Sequence, residues 1–370
     1  MEPVVAVVGG GYGGTLVAKE LDAVADVVLI DPREAFVNAA ASLRALTRPE
    51  WAPHAFFPLR TLLERGRVIR DRVVSVDPDG VTLSSGARVR ADYLVLATGS
   101  GYPYPAKPRA GATDVAQQLD DLRETHKELA GAGRVLIVGG GPVGLELAGE
   151  VRDAWPDKHV TVVDRGDRLL PGFLPEVRDD LRRQLADRRI DVRLTTRLSA
   201  LPPVPPGREA RFTVTTGTGE RIVADIWFRA FGVSLNTGFL ADGHLTPLSD
   251  RGAVPVAEHL NVRGYDHVYA IGDVAGLPDP KMASYAMEHA AIVAANITAQ
   301  VAGDPPQAVH VPASGRRILL PLGPYAGVGQ LPTSDGPAAA TVEEVRRRKG
   351  SDLFTARFAA RFIGPGHRGI

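Results

Sequence analysis

Two glycine fingerprints of one kind sit about 130 residues apart in this chain, and together they restrict its fold more than any other feature. The first is Val4-Val5-Ala6-Val7-Val8 followed by Gly9-Gly10-Gly11-Tyr12-Gly13-Gly14. The second is Val135-Leu136-Ile137-Val138 followed by Gly139-Gly140-Gly141-Pro142-Val143-Gly144. Each reads apolar strand, G-x-G-x-x-G turn, helix. About 20 residues beyond the middle or last glycine, each leads to a second apolar strand that ends in an acid. These are Val27-Val28-Leu29-Ile30-Asp31 and Val160-Thr161-Val162-Val163-Asp164. A chain with two such units can hold two dinucleotides, with an electron path between them.

The pattern has a physical basis. A pyrophosphate needs backbone N–H donors with no side chain in the way. The first glycine permits the tight turn, the second lets backbone approach phosphate, and the third lets helix and strand pack closely. The helix start adds partial positive charge. The acid at the end of the second strand accepts hydrogen bonds from ribose hydroxyls. In a chain with 40 glycines a lone fingerprint is weak. Here strand, turn, helix, strand and acid all occur in order, twice.

Composition narrows the chemistry. The chain has no cysteine, which excludes a redox dithiol, a structural disulfide and a thiolate metal site. Electrons must therefore move through bound cofactors alone. Lys+Arg and Asp+Glu are both 43, so the balance gives no support for a nucleic-acid partner. No run of 18 apolar residues occurs, no signal pattern precedes the first strand, and Met1-Glu2-Pro3 lacks the glycine of a myristoylation site. The expected location is the cytoplasm.

Between the fingerprints, residues 36–46 read as a short helix and 67–76 as a strand. Val81-Thr82-Leu83 and Arg88-Val89-Arg90 read as a hairpin, and Tyr93 to Gly99 as a buried strand ending in Ala97-Thr98-Gly99. The Pro-rich passage Tyr102 to Pro108 is a candidate crossing between domains. Helices are expected over 115–129 and 178–189, with a hairpin at 212–224 and a strand ending at Gly232. A third chemical passage is Tyr269-Ala270-Ile271-Gly272-Asp273, followed by a helix starting near Met282. Past Val301 the chain turns Pro- and Gly-rich, and it ends on a basic, aromatic segment. His54, His126, His244, His259, His289 and His310 show no metal-ligand spacing, and no metal is expected.

These passages together resemble the two-dinucleotide flavoproteins, the pyridine nucleotide:quinone and disulfide oxidoreductases. The resemblance rests on the order first fingerprint, Ala-Thr-Gly, second fingerprint and Tyr-Ala-Ile-Gly-Asp across residues 4–276. Val138 to Glu150, Pro280-Lys281-Met282-Ala283 and Lys349-Gly350-Ser351-Asp352-Leu353-Phe354 are similar to the ferroptosis-suppressor and apoptosis-inducing-factor-like branch. Gly139-Gly140-Gly141-Pro142 with Glu146-Leu147-Ala148-Gly149 is also similar to type II NADH dehydrogenases. The chain departs from the pattern at Ala230-Phe231-Gly232-Val233, where many relatives carry Thr-Gly.

The resemblance implies an α/β chain of two Rossmann-like domains plus a small C-terminal α+β region. Residues 1–108 and 233–300 would bind FAD, 109–232 would bind NAD(P)H, and 301–370 would serve an interface, the acceptor side or a membrane. FAD would be held by Gly9, Gly11, Tyr12, Gly13, Gly14 and Asp31, and by Thr98, Gly99, Gly272 and Asp273. Met282 and Ala283 would open a helix aimed at the flavin. The nicotinamide nucleotide would lie on Gly139, Gly141, Pro142, Val143 and Gly144. Asp164 favours NADH, and Arg165 keeps NADPH open. Glu146 and Lys281 are the candidate catalytic residues, with an exposed helix acid and a solvated loop lysine as the plain alternatives, and Glu150 reads as helix surface. For Asp273 the plain alternative is a helix cap.

The expected activity is FAD-dependent transfer from NAD(P)H to a small acceptor, a quinone or oxygen. A slow redox-sensing flavoprotein and a ferredoxin-reductase-like carrier are the alternatives. Trp51, Phe56 and Phe57 are either core or walls of a quinone channel. Phe354, Phe358 and Phe362 recur at helical spacing among Arg357 and Arg361, either as a peripheral membrane contact or as a packed face, on this chain or in a homodimer.

Overall fold

The computed structural model describes residues 2–313 and 315–362. Two parallel sheets carry the molecule. In the first, the strands run Val268–Ala270, Tyr93–Leu96, Val4–Val8, Asp26–Ile30, Arg67–Ile69 in space, all parallel. In the second the order is Ile190–Arg193, His159–Val163, Arg134–Val138, Ile226–Arg229, again parallel. Each fingerprint strand has its successor on one side and a later strand on the other. The strand order therefore reverses at both glycine turns, and a crevice opens beyond the strand ends there.

Burial follows from the sequence of each strand. Val5 to Val8 and Val27 to Ile30 are buried almost without exception, as expected of strands covered on both faces. The helix Tyr12–Leu21 packs on one face, against the helix Ala283–Val301. A small antiparallel sheet, Val73–Asp77 with Gly80–Leu83 and Arg88–Arg90, lies beside the first unit.

The crossing between the two sheets is narrow and double. Ser100–Gly101 pairs with Ser234–Leu235. Beside it the Thr98 hydroxyl donates to Asn236 O at 2.7 Å, and Asn236 Nδ2 donates to Thr98 O at 2.9 Å.

The C-terminal region touches both sheets' cores. Its strands Ile318–Pro321, Gly327–Thr333 and Gly336–Ala340 form an antiparallel sheet. Ile318, Leu320, Leu322 and Val328 join the core that surrounds Val135 and Ile137. The last described helix, Thr355–Phe362, returns to the first unit, where Phe358 and Phe362 join the core around Val5 and Leu29. Residues 363–370 of the expected C-terminal region lie outside the described residues. Among the described residues no helix is long and apolar enough to cross a membrane.

Local expectations mostly hold, with three corrections. Residues 36–46 do not form one helix: Ala35–Val37 is a strand paired with Phe56–Pro58, and the helix is Ala39–Thr47. Aromatic Phe36 and β-branched Val37 favour the pleated, buried setting. The stretch 67–76 breaks into Arg67–Ile69 and Val73–Asp77, which belong to different sheets. Glu150, read from sequence as helix surface, is buried, because Arg44 donates to it from Nε at 3.0 Å and from Nη2 at 2.7 Å.

Candidate active site

The two fingerprints fold alike. Gly9 and Gly139 have φ of 107° and 115°, values a side chain strongly disfavours. A Cβ on Gly14 would lie 1.8 Å from Gly9 O, and one on Gly144 would lie 2.0 Å from Gly139 O, so each helix can pack this closely only without a side chain. At Gly11 and Gly141 the opposite holds: a Cβ there would meet nothing within 4 Å. No side chain caps the helices that follow, Tyr12–Leu21 and Pro142–Ala154. Both helix starts therefore face open space with unpaired first-turn amides, a setting that suits a pyrophosphate.

The two strand-end acids sit against their own glycine turns. Asp31 accepts from Gly10 N at 2.7 Å and from Arg33 through N, Nε and Nη2 at 2.8–3.0 Å. Burial alone raises the Asp31 carboxyl, but the Arg33 charge and these hydrogen bonds outweigh it and hold the group below its ordinary range. Asp164 accepts from Gly140 N at 2.7 Å and from Gly166 N at 2.6 Å. Among the described residues no hydroxyl or cation hydrogen-bonds Asp164, which keeps lone pairs for a ribose. Arg165 is exposed.

Asp273 lies at the crossing, as Ser100 Oγ donates to its Oδ2 at 2.5 Å. Lys107 Nζ donates to Ser100 O nearby. Burial lowers the Lys107 pKa, with Asp273 opposing and Arg33 reinforcing the shift, so all three groups share one neighbourhood. Thr98 and Gly99 hold the crossing itself, through Asn236. Met282 is extended and the helix begins at Ala283, with Ser284 Oγ buried in its first turn and, among the described residues, without a hydrogen-bond partner. Tyr12 is spent within the protein: its hydroxyl accepts from Ala39 N at 2.9 Å, and its ring meets Phe36 edge-on at 5.0 Å.

Glu146, in the second turn of the helix Pro142–Ala154, is 9% exposed. Its Oε1 accepts from Lys349 Nζ at 2.6 Å, and the same ammonium donates to Leu319 O at 3.1 Å. Lys349 lies in a π-helical turn, Arg346–Gly350, a wide turn found often at functional positions. Tyr102 is also close: its hydroxyl donates to Ala230 O at 2.7 Å, and burial followed by the Glu146 charge pushes its pKa up to about 12. The carbonyl at the Ala230-Phe231-Gly232 departure is thus held by a tyrosine. Lys281 is placed elsewhere. It is exposed and donates to Ala275 O at 2.9 Å. Burial of its ammonium lowers its pKa while Asp273 and Asp279 oppose that shift.

Sequence reasoning did not single out Arg33, Ser100, Lys107 or Lys349 as site residues. Arg33 alone had a local signal, two residues past Asp31. Phe57 stacks on Phe362 at 5.5 Å and tilts toward Phe36 at 6.1 Å, which makes it core. Trp51 is half-buried with the Arg44 guanidinium 4.7 Å over its ring.

Comparison with known proteins bears on the family and the fold. The sequence profile of the pyridine nucleotide-disulphide oxidoreductases matches residues 3–290. Ferroptosis suppressor protein 1 of Taeniopygia guttata is 33% identical over 333 residues, covering 88% of each chain. Apoptosis-inducing factor homolog A of Dictyostelium discoideum is 28% identical, covering 98% of this chain and 92% of its own. In fold, the sulfide:quinone oxidoreductase of Aquifex aeolicus superposes with a TM-score of 0.74 at 19% identity, over 97% of this chain and 91% of that one.

Proposed function

We propose that this chain, which belongs to the pyridine nucleotide-disulphide oxidoreductase family and uses FAD and NAD(P)H, delivers its electrons to a quinone. Bound FAD would supply the chemistry of hydride acceptance from the nicotinamide and of two-electron delivery to an acceptor. The balance is one hydride from NAD(P)H and one proton from solvent for each quinone reduced to hydroquinone.

The observation that carries this reading is the Glu146–Lys349 pair. It lies just inside the helix that opens the second fingerprint, and the chain has no cysteine to relay electrons. In this reading residues 1–108 with 233–300 carry FAD, through Gly9 to Gly14, Asp31 with Arg33, and Asp273 with Ser100. Residues 109–232 carry the nucleotide, through Gly139 to Gly144 and Asp164. Glu146 orients the nicotinamide end. The Lys349 ammonium faces the charge that develops as the acceptor is reduced, where a fixed cation acts most strongly. Lys281 braces the Gly272–Ala275 turn from outside.

NADH is the preferred donor. A carboxylate about 4 Å from a 2′-phosphate costs from about 1 kcal/mol per charge in water to about 4 at an effective dielectric constant of 20. Any membrane contact is electrostatic. Phe358 and Phe362 are buried and Phe354 is partly buried against the same core, so the aromatic face is spent inside. Arg346, Arg347, Arg348 and Arg357 remain exposed for an anionic surface.

The test is steady-state NADH oxidation with a panel of short-chain quinones, against oxygen alone and against ferredoxin. Turnover with quinones at least tenfold above the oxygen rate supports the reading. Equal rates with and without quinone contradict it.

A further inference from the structure

Outside the contacts described so far, one buried cluster of titratable groups reaches the flavin side of the fold. It is formed by Asp279, His289 and His310, which the sequence spreads over a loop, a helix and a second loop. His289 and Asp279 are 2% and 7% exposed. His289 Nε2 lies 3.4 Å from Asp279 Oδ2. His310 Nε2 approaches the same oxygen to 2.8 Å but without hydrogen-bond alignment, and the two imidazoles meet edge-on at 4.9 Å.

Three such ligand atoms, all within 4.8 Å of one another, have the spacing of a cation site. The other face of His289 argues against that use. Its Nδ1 accepts a hydrogen bond from Gly272 N at 3.1 Å. A backbone N–H only donates, so Nδ1 carries a lone pair. In neutral imidazole the proton is then on Nε2, directed at Asp279. A metal on Nε2 would leave His289 with no proton at all. Metal-bound histidines almost always donate their second N–H instead.

Gly272 has φ of 68°, and its turn is also hemmed in: a Cβ there would lie 3.1 Å from Ala286 Cβ on the helix Ala283–Val301. The next residue is Asp273. From this geometry we infer that His289 is a positioning residue for FAD: it pins the Gly272 N–H so that the turn presents Asp273 to the cofactor, and Asp279 fixes the tautomer that allows it. This rests on the chain's use of FAD and not on the identity of the acceptor.

The arrangement makes cofactor retention depend on pH. Protonation of His289 at Nδ1 removes the acceptor that Gly272 needs. Burial lowers the His289 pKa, and the groups facing it act in both directions. His310 and Lys281 disfavour its charge, while Asp279 favours it. On the same side Glu288 is paired with Arg317, whose guanidinium lies 4.3 Å over Tyr285. A histidine held neutral in the fold contributes fully above its ordinary pKa of 6.5 and loses that contribution as pH falls below it. FAD retention follows the folded-state group: FAD is held most tightly while His289 stays neutral and is released progressively only as pH falls through that lowered pKa, below 6.5.

The experiment measures FAD release from the purified holoprotein by fluorescence between pH 5 and 8, for wild type, His289→Asn and His289→Phe. Asparagine places an oxygen near the Nδ1 position and does not titrate. The expected result is FAD affinity for H289N within about threefold of wild type and flat with pH. For H289F, loss of one buried acceptor corresponds to a weakening of about tenfold. Should H289F not fold, the comparison of pH profiles between wild type and H289N still decides. An H289N variant that releases FAD as readily as H289F, or that keeps the wild-type pH profile, overturns the inference. So does stoichiometric zinc in the purified protein that is lost in His310→Ala. A wrong acceptor assignment would leave every one of these readouts unchanged.

Discussion

Lys349 Nζ lies 2.6 Å from Glu146 Oε1, although 203 positions of sequence separate the two residues. The contact brings a cation from the C-terminal region onto the helix of the second fingerprint, where the nicotinamide and flavin are proposed to meet. Lys349→Ala removes that charge without touching either glycine turn. Stopped-flow kinetics are expected to show electron transfer slowed by roughly 10- to 100-fold, with FAD content unchanged. Lys349→Arg should recover part of the rate. A K349A enzyme with wild-type turnover would remove the pair from the chemistry.

The two fingerprints should be separable by single methyl groups. A Cβ on Gly14 or Gly144 overlaps a backbone oxygen, at 1.8 and 2.0 Å, and backbone cannot yield as a flexible side chain does. Gly144→Ala is expected to give a yellow protein whose flavin NADH cannot reduce. Gly14→Ala is expected to give a colourless one. Absorbance at the flavin band, before and after NADH, checks both.

Asp164 is proposed to set the donor. With both carboxylate oxygens held by Gly140 and Gly166 N–H groups, the charge is fixed where the adenosine ribose is proposed to lie. Asp164→Ala should lower kcat/KM for NADH and narrow the NADH over NADPH preference by roughly tenfold, equivalent to about 1.4 kcal/mol. An unchanged ratio would place the ribose elsewhere.

Arg44 and Glu150 join the helix Ala39–Thr47 to the helix Pro142–Ala154 with almost no exposure, at 1% and 3%. Arg48 adds a second guanidinium at 3.0 Å and also pairs with Asp153. Glu150→Ala strands the buried Arg44 guanidinium, while Arg48 keeps Asp153, and breaking such a buried pair costs about 3–5 kcal/mol. The expected result is a large fall in the urea midpoint. The double variant Arg44→Met, Glu150→Met is expected to recover part of it, since an apolar replacement removes both desolvation costs.

Much of this was legible in the sequence because it is local. The strand, glycine turn and helix of each fingerprint are adjacent residues, and Asp31 meets Gly10 only 21 positions away. Their spacing is dictated by one βαβ unit, so the pattern and the geometry are nearly the same information. What could not be read were contacts made by chain return. Glu146 looks like any helix acid until Lys349 arrives beside it. Glu150 has the same sequence character and is buried only because Arg44 lies across the interface. His289 and Asp279 are ten positions apart, but their importance depends on a backbone N–H at Gly272. Residues 36–37 are strand for the same kind of reason, since they pair with Phe56–Pro58 and not with a neighbour in sequence.

The most direct measurement is an anaerobic spectral titration of the purified protein with NADH, followed by one equivalent of a short-chain quinone. The account predicts that the flavin band bleaches at about one NADH per flavin and returns in full on adding quinone. A flavin that stays oxidised under excess NADH, or one that is reduced but does not return with quinone, would contradict it.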